Sequence, residues 1–74
     1  MSIDREDVDS TNIISIGYDG DVEVLEVEFK GDKVYQYHDV PESVYIDLMS
    51  SQSKGGFFHE MIRKGGYSYT RVEV

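Results

Sequence analysis

The sequence has 74 residues, no cysteine, no tryptophan, one proline and a formal charge of −8. That length holds a single domain, too small to set a large enzyme cleft beside its core, and it has neither disulfides nor a cysteine–histidine metal site to stiffen it. The charge opposes indiscriminate binding of DNA or RNA and leaves room only for a local site.

The charge is uneven. Up to residue 28, nine acids face Arg5 alone, whereas six acids and six bases balance over the remainder. Residues 1–10 are polar and acidic and read as a flexible lead into one domain over 11–74. They lack the basic start and apolar stretch of a signal peptide, and no apolar run reaches the roughly 18–20 residues of a membrane span. A cytoplasmic protein without membrane contact is expected.

From residue 12 the apolar period is two. Ile14, Ile16 and Tyr18 alternate along one strand, and Leu25, Val27 and Phe29 oppose Val24, Glu26 and Glu28 along the next. Asp19-Gly20 between them signals a two-residue hairpin, which would pair Ile14 with Leu25 and Ile16 with Glu23. A second turn at Gly31-Asp32 leads into a third strand, KVYQYHDV. A two-residue loop there would put Tyr35 and Tyr37 on the glutamate face. A three-residue loop or a bulge would set Phe29 opposite Tyr35 and Val27 opposite Tyr37, burying both rings. The buried arrangement is the expected one, because so small a core needs aromatic area. Helical spacing follows. Pro41 suits a first helical position, and Val44, Tyr45, Leu48 and Met49 form one apolar stripe. Phe57, Phe58, Met61 and Ile62 repeat that spacing in a second short helix, closed by Gly65-Gly66. The alternating, β-prone GYSYTRVEV ends the chain as an edge strand. The expected fold is α+β: a three-stranded antiparallel β-meander, two short helices packed on one face, and a C-terminal edge strand.

These segments resemble the KTSC domain, a short family named for the C-terminus of some lysyl-tRNA synthetases and also found as free-standing small proteins. The resemblance spans about residues 10–70. It is carried by Tyr35-Gln36-Tyr37, by Val40-Pro41, and by Ser53-Lys54-Gly55 with Phe58, Ile62 and Arg63 beyond. Association with RNA or tRNA is what the resemblance implies.

The residues themselves offer a few candidate sites. Ser53, Lys54, Gly55 and Gly56 open the second helix. Free N–H groups there, with Lys54 beside them, suit a phosphate; the favoured reading is that Ser53 caps the helix and the glycines permit close packing. Arg63 and Lys64 suit a helix C-terminus, or group with Lys54 and Arg71 as a basic patch near Tyr67 and Tyr69, an arrangement fitted to single-stranded RNA. Tyr35 and Tyr37 are core rings or a stacking platform. His38 and His59 lie in no catalytic or zinc-binding pattern, and Asp19-Gly20-Asp21 lacks the ligand series of a calcium loop. A non-enzymatic binding module is expected, with no catalytic residue, metal or cofactor. Its partner would be RNA or tRNA, or a basic protein met by the acidic strand bearing Glu23, Glu26 and Glu28.

Overall fold

A computed structural model of the chain describes residues 3–72. Its sheet has five antiparallel strands in sequential order: β1 (Arg5–Asp7), β2 (Ile13–Asp19), β3 (Val24–Phe29), β4 (Lys33–Tyr37) and β5 (Tyr69–Val72). Helix α1 (Glu42–Ser50) and helix α2 (Lys54–Phe57) follow β4, and α2 runs on directly as a π-helical segment, Phe58–Arg63. The class is the expected α+β, but the sheet is larger than a three-stranded meander with one added edge. The further strand, β1, lies in the stretch read as a loose lead. Its sequence, Arg-Glu-Asp, has no apolar alternation to announce it.

Both helices cover one side of the sheet. Ile16, Leu25, Val27 and Tyr37 from the strands pack with Val40, Leu48, Phe58 and Ile62 in one buried cluster. The stripe on α1 behaves as its spacing dictates: Leu48 is sealed, and Val44, Tyr45 and Met49 are half-buried against the core. Tyr45 stacks on Tyr18 with ring centroids 4.9 Å apart, and the Tyr18 hydroxyl donates to the Val40 carbonyl at 2.5 Å. Pro41 stands one position earlier than expected, as the N-cap of α1 in extended backbone.

Two registers differ from the sequence reading. In the first hairpin Ile16 faces Val27 and Tyr18 faces Leu25, so the connection is four residues, Gly20 to Glu23. Asp19 shapes this turn through its side chain, accepting the Asp21 N–H at 3.0 Å, and the left-handed residue is Glu23, at φ 55°. A bulge between Ile13 and Ser15 then brings Ile13 into the core and leaves Ile14 at the surface. In the second hairpin a three-residue loop, Lys30 to Asp32, sets Val27 opposite Tyr35 and Leu25 opposite Tyr37. The partners are shifted by two from those expected. A shift of two preserves the face, so Tyr35 and Tyr37 lie on the core side as anticipated.

The opposite face is polar and organised. One row crosses the whole sheet: Arg5, Gly17, Glu26, Gln36 and Thr70. Arg5 lies over Gly17, where an added Cβ would collide with the Asp4 carbonyl oxygen, and its guanidinium pairs with Glu26. Gln36 donates to Glu26 at 2.8 Å, and Arg5 Nε donates to Ser15 Oγ at 2.9 Å. Glu26 is only 2% exposed. It is therefore not the water-facing residue that strand alternation implies.

Candidate functional site

The covered face holds a cleft of about 560 Å³ between β4, β5 and the second helix. Its floor is aromatic. Phe29, Tyr35, Tyr69, Tyr37 and Phe58 form a closed circuit, each ring against the next, with successive centroids between 5.2 and 5.9 Å apart. The strands place four of these rings. Val27↔Tyr35 and Leu25↔Tyr37 fix the two β4 tyrosines beside Phe29, and Tyr37↔Tyr69 adds the fourth from β5. Phe58 enters from the π segment above. Tyr37 and Phe58 are buried, Phe29 and Tyr35 are half-buried, and Tyr69 is 62% exposed at the mouth.

The rim is cationic. Lys30 and Lys33 come from the β3–β4 hairpin, and His59 and Arg63 come from the π segment, one widened turn apart. The Lys64 N–H donates to the His59 carbonyl at 3.3 Å, the five-residue spacing of a π-helix. Among the described residues no aspartate or glutamate lines the cleft, and Lys30, Lys33 and Arg63 are in no ion pair. Burial pushes the Tyr37 phenol above its ordinary value of 10.0, with the Arg63 guanidinium pulling the other way. The hydroxyl therefore stays protonated at neutral pH and is available as a donor.

The sequence candidates divide. Gly55, Arg63, Tyr35, Tyr37 and Tyr67 line the cleft. Ser53 does not: it is the N-cap of α2, its hydroxyl accepting the Gly56 N–H at 3.3 Å. Lys54 turns back to donate to the Ser51 carbonyl at 3.2 Å, and Lys64 pairs with Glu60 at 3.4 Å. Gly56 lies under the Ser53 side chain, and Arg71 is exposed on β5, opposite Tyr35. Lys30, Lys33, Phe29, Phe58 and His59 also line the cleft, and none of them stands in a sequence pattern that marks a site. Lys33 has a signal for its face alone, since with Tyr35 and Tyr37 on the covered face period two puts Lys33 there as well. His38 lies outside the cleft, its Nε2 3.0 Å from Thr70 Oγ1. No group of three or more histidine, aspartate or glutamate side chains among the described residues could hold a metal ion. No helix among them is long and apolar enough to cross a membrane.

A small α+β domain with an aromatic-floored, cation-rimmed cleft is the class these features define. The chain belongs to the KTSC domain family, which it matches over residues 9–72. A crystal structure of a KTSC domain protein from Yersinia pestis is similar to it at a TM-score of 0.90 and 40% identity, over 97% of this chain and all of that one. An uncharacterized protein of Stutzerimonas stutzeri is 33% identical over 93% of this chain and 97% of its own length. A lysine–tRNA ligase of Trichormus variabilis is 36% identical over 74% of this chain, a match that takes up 10% of the ligase.

Proposed function

We propose that the chain is a non-catalytic module that binds single-stranded RNA in the cleft between β4, β5 and the second helix. One observation carries this reading: in a chain of charge −8, three cations that form no ion pair among the described residues gather around a floor of five aromatic rings, with no described acid among them. Rings that bases can stack on, next to cations for the phosphates, are the elements by which single strands are held. An aromatic basin can also accept a quaternary ammonium group, but Lys30, Lys33 and Arg63 repel such a cation. The resemblance to lysine–tRNA ligases supports a partner of RNA. The other partner considered, a basic protein on the acidic strand, draws less support, because Glu26 and Glu28 are engaged by Arg5, Ser15 and Gln36.

The test is fluorescence anisotropy with a pool of labelled single-stranded RNA at low salt. Lys33→Glu and Arg63→Glu should each weaken binding by about tenfold or more, as lost phosphate contacts do. Lys64→Glu, at a solvated ion pair outside the cleft, should change it by less than about twofold. Absence of binding, or equal losses in all three variants, would refute the assignment.

A further inference from the structure

Three features of the cleft bear on how much of a strand it engages. The first is its size. At about 560 Å³ it falls within the range that encloses one small molecule, and Lys30, Lys33 and Arg63 all line this one cleft. The second is the field beyond it. Apart from Lys30, Lys33 and Arg63, four bases face fifteen acids, so the rest of the chain carries −11. Proteins that hold a strand along its length do so with a positive groove under the backbone; here the described lining offers only Lys30, Lys33, Arg63 and His59 as basic groups, and the charge summed over the rest of the chain is negative.

The third feature is the Tyr37 hydroxyl. Tyr37 is 6% exposed, yet among the described residues its hydroxyl has no hydrogen-bond partner, in contrast to Tyr18, which donates to Val40. No fully sealed side-chain oxygen or nitrogen among those residues lacks a partner, so this O–H is open, and the ring it belongs to lines the cleft. A nearly buried phenol normally finds a partner. An acceptor entering the cleft would supply one, beside the Arg63 guanidinium.

We infer that the cleft is a self-sufficient site for one nucleotide, its base on the Tyr35 and Tyr69 rings and its phosphate between Lys33, Arg63 and the donating Tyr37 hydroxyl. The inference rests on the cleft being the binding site and adds that the remainder of a strand contributes nothing to affinity. A nucleoside monophosphate could reach the site free or as the phosphorylated end of an RNA.

Calorimetric titration of the full chain with AMP, UMP, oligouridylate and 5′-phosphorylated oligouridylate separates these cases. A monophosphate and the phosphorylated oligomer should bind within about threefold of each other, with the unphosphorylated oligomer weaker. Tyr37→Phe, which keeps the ring, should weaken both by about fivefold or more; unchanged affinity would overturn the role of the hydroxyl. An oligomer bound tenfold or more tightly than either monophosphate, to the order of magnitude expected of a tracking groove, overturns the one-nucleotide site and leaves RNA binding standing. Monophosphate binding with no binding of either oligomer upholds the site and ends the RNA reading. Binding of none of the four ends both.

Discussion

Arg5 reaches across Gly17 to a glutamate that is almost sealed from water. The ion pair works because the sheet leaves a gap where Gly17 has no side chain, so the Arg5 side chain can pass over β2 and meet Glu26 on β3. Ser15 and Gln36 complete the set of hydrogen bonds. Breaking such a pair from one side leaves a charge stranded in low dielectric, although Arg5 itself keeps a side-chain exposure of 27% and the cost falls accordingly. Arg5→Ala should therefore lower stability by about 1–3 kcal/mol in urea unfolding. Glu26→Gln in the same background should recover part of the loss, since it removes the stranded charge. A loss confined to a few tenths would show that the pair is no more than a solvated surface contact. The sequence could not display this arrangement: alternation assigns Glu26 to the face away from the helices, which is correct, but the depth of that face depends on Arg5, 21 positions away.

Strands and helices were legible in proportion to their apolar pattern. β2, β3, β4 and α1 alternate or stripe strongly enough to fix the side each presents, and the two-residue shift between expected and observed pairing of β3 with β4 left the faces of Tyr35 and Tyr37 unchanged. The bulge at Ile14 was invisible because Ile13, Ile14 and Ile16 offer two equally apolar ways to enter the core. β1 was invisible because it is three charged residues, held in place by Gly17 and by the Val8 N–H donating to the Ile14 carbonyl at 3.0 Å. That dependence can be tested. Gly17→Ala puts a methyl group into the Asp4 carbonyl, so β1 should detach and the Val8 amide should lose its protection from hydrogen exchange. Once β1 is off, adding Arg5→Ala should cost nothing further, a non-additivity that independent sites would not show. Additive losses with Val8 still protected would contradict the coupling. The π segment had no sequence signal either, and it matters to the site because it brings His59 and Arg63 to the cleft while Phe58 and Ile62 stay buried.

Across the molecule, charge and aromatic area are sorted by face. The side without helices carries the Arg5–Glu26–Glu28 network, and the covered side carries the aromatic circuit with its cations. The cleft draws on the β3–β4 hairpin, β4, the π segment and β5, so its five rings and three cations are scattered over residues 29 to 69 and converge through the sheet registers and the packing of the π segment. For that reason Lys30 and Lys33 could not be joined to Arg63 by reading along the chain, whereas Tyr35 and Tyr37 could be assigned their face. The proposal that RNA binds in this cleft makes a local prediction. It is tested most directly by following backbone amide resonances of the full chain while single-stranded RNA is added at low salt. Shifts should concentrate on Lys33, Tyr35, Tyr37, His59, Arg63 and Tyr69 and shrink as salt is raised. Shifts centred on Glu26, Glu28 and Gln36, or none at any RNA concentration, would contradict it.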